Sequence, residues 1–252
     1  MKYLLLLVVG IQSFLFATTD ILVSYENKAT YPYYTKEGSK NLGLAIDALK
    51  SIEKEFDLNF IFKREPGTRG QNKLKYDKVD LLLFASYKKA REEIGVYPKT
   101  ADGKVDTDKR SMNLSYMLYK LKGSSLDWDG EKFINLTGSI GATRGYSIVK
   151  VLKKLGVKVK ENNLNNTDIL KLIKGRIQGV VNQSSKIDLY LSENPKLASQ
   201  VEKVKTPVKT KPYYMLFSKG FYKNNPKLTN KIWESLKHLD SNPKFKSFRD
   251  KY

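Results

Sequence analysis

Cysteine is absent from the 252 residues, and histidine occurs once. The first absence excludes disulfide staples, a thiol nucleophile, thiolate metal ligands and an acylated cysteine as a lipid anchor. The lone histidine, His238, is expected in a C-terminal amphipathic helix, with a structural or solvated role. No group of His, Asp and Glu has recognisable metal-ligand spacing, and the glycine-containing stretch 141–150, "GATRGYSIVK", lacks the Gly-Lys-Ser/Thr ending of a phosphate loop. No cofactor is therefore expected. Long blocks of like charge are missing too. Lys and Arg number 46 against 26 Asp and Glu, a formal net charge of +20, yet no run of five or six like charges occurs. Scattering of this kind describes a lysine-rich solvated surface, so no nucleic-acid partner is expected.

Only one long apolar run is present. Residues 1–17, "MKYLLLLVVGIQSFLFA", offer an early lysine, an uncharged stretch from Tyr3 to Phe16 and a small residue, Ala17. The stretch is short for a bilayer span and reads as a cleaved secretory signal peptide. Residues 18–252 are then expected to be an exported, monomeric protein of the periplasm.

In that remainder, strand-like runs alternate with helix-like ones. "ILVSY" (21–25), "LNFIFK" (58–63) and "KVDLLLFA" (78–85) read as strands, and 43–56, "GLAIDALKSIEKEF", as a helix with Leu49, Ile52 and Phe56 on one stripe. A short helix is expected over 88–94. The order recurs after residue 138: "GSIGA", a helix over 146–156, "VKVKE", a helix over 167–175, the strand "RIQGVVN" and then "SSKIDLYLS". "TKPYYMLFSK" adds a late strand, and Pro226 and Pro243 are placed to open two C-terminal helices. Such alternation predicts α/β architecture with largely parallel sheets. Residues 74–86 and 172–184 align without gaps as helix end, turn, buried strand and serine. Two similar lobes account for this echo; so does the general form of any helix-turn-strand unit.

Ligands of open α/β sheets collect beyond the carboxyl ends of strands. There the first echoed segment supplies Phe84, Ala85, Ser86 and then Arg91, and the second Asn182, Gln183 and Ser184. Arg91 is preferred to Lys88 and Lys89 as an anion ligand because a guanidinium grips a carboxylate with two parallel hydrogen bonds. A surface ion pair, with Glu92 for example, is the competing role. Gly141 and Gly145 permit a tight turn that opens the next helix at Tyr146 and Ser147, either toward an anion or simply as a helix cap by Ser147.

The succession "ATYPYY", "GLAIDALKSIEKEF", "KVDLLLFASYKKAREEIGVYP", "GSIGATRGYS", "ILKLIKGRIQGVVNQ" and "YYMLFSKGF" resembles the family 3 extracellular solute-binding proteins, the periplasmic receptors of polar amino acid ABC importers. The resemblance covers nearly all of residues 18–252. It implies a two-lobed periplasmic-binding-protein fold of type II, a hinged trap with a mixed, largely parallel sheet in each lobe. Lobe 1 would comprise 18–112 and 205–252, lobe 2 113–204, with crossings near 108–114 and 203–209. It further implies that Arg91 binds a carboxylate, that Tyr31 and Tyr33 line the cleft beside Glu26, and that Tyr146 and Ser147 face it from lobe 2. "PGTR", 66–69, is similar to a Pro-x-x-Arg element of a divergent branch, which makes Arg69 a further candidate.

The departures bear on the ligand. Where that family carries an aspartate for the ligand's ammonium, this chain has Gln183, and a neutral amide supplies no countercharge. With Arg69, Arg91 and Arg144 opposed by Glu26 alone, a carboxylate or other small anion competes with an amino acid as ligand. The resemblance implies a small-molecule ligand, an ABC permease as partner and no catalysis. The competing functions are a sensing protein that reports to a membrane receptor and a dehydratase-like enzyme using Glu26 as general acid or base.

Overall fold

A computed structural model describes residues 18–162 and 165–252; residues 1–17, read above as a signal peptide, lie outside the described residues. Among the described residues no helix is long and apolar enough to cross a membrane.

The chain opens with β1 (Thr19–Glu26), in which Ile21, Val23 and Tyr25 are buried. The helix expected over 43–56 is broken at Ile52 into α1 (Leu44–Ser51) and a single turn, α2 (Glu53–Phe56), ended by Asp57 in the left-handed region at φ 52°. Then come β2 (Leu58–Glu65), α3 (Gly67–Lys75) and β3 (Leu81–Ser86). Sequence reading missed α3, which buries only Gly70 and Leu74 and so has no apolar stripe to detect. The short helix expected at 88–94 is a 3-10 turn over Lys89–Glu93. β4 (Met112–Leu121) follows, and a hairpin of β5 (Asp127–Trp128) and β6 (Phe133–Ile134). The second series is β7 (Ile140–Thr143), α4 (Ser147–Lys154), β8 (Val159–Asn162), α5 (Asn165–Ile173), β9 (Gly179–Gln183), α6 (Ser184–Ser192), α7 (Pro195–Ala198) and β10 (Val201–Lys203). β11 (Lys209–Phe217) returns to the first series, followed by α8 (Lys219–Asn224), α9 (Pro226–Ser235) and α10 (Lys246–Arg249). Pro226 does open α9, and Pro243 opens a 3-10 turn just before α10. His238 sits not in a helix but in the turn after α9, at φ 58°.

Two halves repeat one plan. In the first, β1 pairs in parallel with β2 and β3, and β3 pairs antiparallel with β11. In the second, β7 pairs in parallel with β8 and β9, and β9 pairs antiparallel with β4. The halves are joined where β4 and β11 run side by side, from Met112↔Tyr213 to Tyr116↔Lys209. Packing follows the same division. Ile21, Leu49, Met112, Leu114, Trp233 and Phe245 share one core, whereas Tyr116, Ile140, Leu152, Val181 and Val208 share another. The molecule is therefore an α/β protein of two lobes, each built on one mixed half of a sheet that is continuous through β11 and β4, with helices packed against it.

Candidate functional site

Where the lobes face one another lies a cleft of about 730 Å³ counted out to its open mouth.

The first-lobe wall is the end of β3. Side chains of a regular strand alternate between faces, yet Phe84, Ala85 and Ser86 all border the cleft. A bulge explains this. Opposite Tyr214–Leu216 of β11, β3 carries an extra residue, and Phe84 takes a left-handed conformation at φ 66°. Such a conformation costs a non-glycine residue ~1–3 kcal/mol, offset here by the packing of Phe84 on Tyr34 (6.2 Å, stacked) and Tyr33 (5.5 Å, edge-on). Past the strand, Arg91 turns back and its Nη1 donates to the Ser86 carbonyl (2.6 Å) and the Ser86 hydroxyl (3.0 Å). Tyr97 donates to the same carbonyl at 2.9 Å; burial pushes this phenol up to about 12, against the opposing pull of Arg91. Glu92, the partner considered for Arg91, is taken instead by Lys89 (2.6 Å) and Lys99. Hydrogen bonds from those two ammonium groups hold its carboxyl near a pKa of about 2. Among the described residues Arg91 has no ion pair.

The second-lobe wall is made by the openings of α4 and α6. Gly145, at φ 76°, turns the chain into α4 and exposes Tyr146 and Ser147 to the cleft. Ser147 does not cap the helix; its hydroxyl accepts from Lys211 Nζ at 2.8 Å. Gln183 is buried, and its Nε2 donates to the hydroxyls of Tyr213 (2.8 Å) and Tyr116 (3.4 Å). One turn into α6, Lys186 is 7% exposed, with Nζ 2.6 Å from the Tyr146 hydroxyl and 3.5 Å from Oε2 of Glu26 in the other lobe. Burial opposes its positive charge, but the oxygens of Tyr146, Glu26 and Tyr34 outweigh that and raise its pKa. Lys88 behaves oppositely: burial, then Arg91 and Lys150, lowers its pKa. Lys211 is lowered for the same reasons, first by burial and then by Lys88, Lys209 and Arg91.

Of the residues expected at the site, Glu26, Phe84, Ala85, Ser86, Arg91, Tyr146, Ser147 and Gln183 border the cleft. Four do not. Tyr31 packs edge-on against Tyr252, 6.4 Å between ring centres. Tyr33 points into the first-lobe core and is 6% exposed, because the turn over 30–34 presents the next residue, Tyr34, to the cleft. Arg69 borders a separate, shallow surface depression with Pro66 and Lys73, since α3 directs it away. Arg144 is exposed at the end of β7, outside the cleft.

The site residues that went unpredicted are chiefly Tyr34, Tyr116, Tyr213, Gln71, Lys88 and Lys186. A signal for the two lysines was present. Carried two residues further, the alignment of 74–86 with 172–184 pairs Lys88 with Lys186. Each follows the serine that ends its echoed segment, and each reaches the same cleft.

No protein-family model and no curated protein matches the chain. Solved structures do. A histidine kinase sensor domain with similarity to periplasmic binding proteins superposes with TM-score 0.70 at 15% identity, over 94% of this chain and 96% of that one. A putative ABC transporter binding component from Wolinella succinogenes, complexed with lysine, gives TM-score 0.70 at 13% identity over 92% and 95%. An ancestral arginine-binding protein bound to arginine gives 0.65 at 21% identity over 92% and 97%. The chain thus has the two-lobed periplasmic-binding-protein fold, which is the fold implied by the sequence resemblance.

Proposed function

We propose that the protein is an exported, monomeric receptor of the periplasm that captures a small carboxylate-bearing solute between its lobes and hands it to an ABC permease. The observation that carries this reading is the basic cleft at the end of β3, with Arg91 held by Ser86 and left without an ion pair among the described residues. Its location matches the rule for open α/β sheets. Solved structures of the same fold include proteins complexed with lysine and bound to arginine, which supports a small polar ligand. Lobe 1 is assigned 18–112 and 205–252 and lobe 2 113–204; the β4/β11 ribbon is the hinge. Closure requires contacts formed only when the lobes meet, and Arg91 supplies one for a bound carboxylate. The role is binding, without catalysis.

The sensor-domain neighbour favours a second reading, in which the same capture is reported to a membrane receptor. Thermal-shift screening against amino acids, dicarboxylates and sugar acids tests capture itself, because a ligand of the native state raises the transition. A flat response across all three classes would refute it. Uptake of the ligand found, measured in a strain deleted for this protein, separates the roles: transport predicts lost uptake, sensing predicts normal uptake.

A further inference from the structure

The cleft carries more cations than one carboxylate needs. Among the described residues its lining holds Lys88, Arg91 and Lys186 against a single acidic side chain, Glu26. The cations form two poles. Lys88 and Arg91 stand at the first-lobe end, where burial and then the charge of Arg91 lower the pKa of Lys88. Lys186 stands apart among the oxygens of Tyr146, Tyr34 and Glu26. Its ammonium has three hydrogens. One goes to Tyr146 at 2.6 Å, and the contact with Glu26, at 3.5 Å, is long for a charge-assisted bond. Among the described residues Nζ has no third acceptor, yet the residue borders the cleft. The Lys186 ammonium also occupies the place beside Glu26 where a ligand's own ammonium would find its countercharge. Gln183, on the same wall, offers none, and its Nε2 is committed to Tyr213 and Tyr116.

We propose that Lys186 determines specificity: it excludes ligands bearing an α-ammonium and binds a second acidic group, so the solute is a small dicarboxylate without an amino group. This rests on the reading of the cleft as a capture site, with Arg91 and Lys88 holding the first carboxylate. Lys88 and Lys186, equivalent in the internal echo, then serve opposite ends of one dianion.

The test is calorimetric titration of the purified protein with succinate, glutarate, L-glutamine and L-glutamate. Wild type is expected to prefer succinate or glutarate to L-glutamine by at least about tenfold, the value of one charge-assisted bond. Lys186→Met should weaken the dicarboxylate by about 10- to 100-fold and tighten L-glutamine, whose ammonium gains access to Glu26. Glu26→Gln alters a side chain that is 37% exposed and should tighten the dicarboxylate by removing the opposing charge. This second variant decides the matter should Lys186→Met fail to fold. A wild-type preference for L-glutamine, an unchanged preference in Lys186→Met, a Glu26→Gln protein that binds the dicarboxylate no better, or no binding of any of the four compounds would each overturn the assignment. Capture as such survives these results whenever the broader thermal-shift screen still finds a ligand lost in Arg91→Ala.

Discussion

Two short hydrogen bonds to Ser86 fix the Arg91 guanidinium, and neither is needed to hold the fold, because Tyr97 donates to the same Ser86 carbonyl. Arg91→Ala is therefore expected to lower the stability of the unliganded protein by no more than about 1 kcal/mol, a melting shift of ~2–4 °C. Ligand affinity should fall by at least about tenfold. Titration of the variant checks this, and an affinity within threefold of wild type removes Arg91 from the site. A second residue-scale prediction concerns Asp168, which has no exposed surface and whose Oδ2 lacks a hydrogen-bond partner. Burial raises its pKa to about 6 from an ordinary 3.8, against the opposing pull of Lys171 and the Asn162 amide. A carboxyl raised on folding favours the native state fully below its unfolded pKa, and that contribution is lost as pH rises through the folded value. The loss for Asp168 runs from about pH 4 to pH 6 and amounts to about 3 kcal/mol at most. Asp168→Asn is thus expected to stabilise the protein at pH 7 relative to pH 4. Urea unfolding of both proteins at the two pH values measures it, and an equal effect at both would show that the carboxyl does not titrate in this range.

Between β1 and α1 the chain turns on Gly43, at φ 121°, a conformation that L side chains rarely adopt. A Cβ there would lie 2.4 Å from the Tyr33 carbonyl oxygen and from Tyr34 Cα, the segment that presents Tyr34 to the cleft. Gly43→Ala should destabilise by about 3–4 kcal/mol and lower the melting temperature by ~6–15 °C. An unshifted transition would mean that the loop relaxes freely and does not position Tyr34. The same loop marks the limit of sequence reading. The apolar runs of β3 and β9 were legible because burial on both faces leaves continuous hydrophobic stretches. Their ends, and hence Ser86, Arg91 and Gln183, could be located from them. Which tyrosine of "YPYY" enters the cleft depends on the turn over 30–34, and a shift of one residue exchanges Tyr33 for Tyr34. The bulge at Phe84 is likewise a matter of register, visible only when β11 lies alongside β3. α3, with glycines at 67 and 70, gave no periodicity and left Arg69 unplaced. Lys186 was concealed by its type, since lysine is ordinarily read as a surface residue and only the echo with Lys88 argues otherwise.

At the scale of the whole molecule, two ion pairs among the described residues bridge the lobes: Lys186 with Glu26 in the cleft and Lys36 with Glu193 at 2.6 Å outside it. The outer pair is exposed on both sides, so it contributes little to holding the lobes together. The larger electrostatic quantity is the net charge of +20. A net positive charge of this size favours the approach of anions. For the anionic solute proposed above, association should therefore be accelerated at low salt. Raising ionic strength from about 20 mM to about 500 mM shortens the Debye length from ~20 Å to ~4 Å, which confines attraction to charges near the ligand. The association rate constant is expected to fall several-fold over that range, whereas dissociation, governed by the Arg91 contacts within the closed cleft, should change much less. Stopped-flow binding at several salt concentrations separates the two constants. An association rate that does not respond to salt, or rises with it, would show that the captured solute carries no net negative charge.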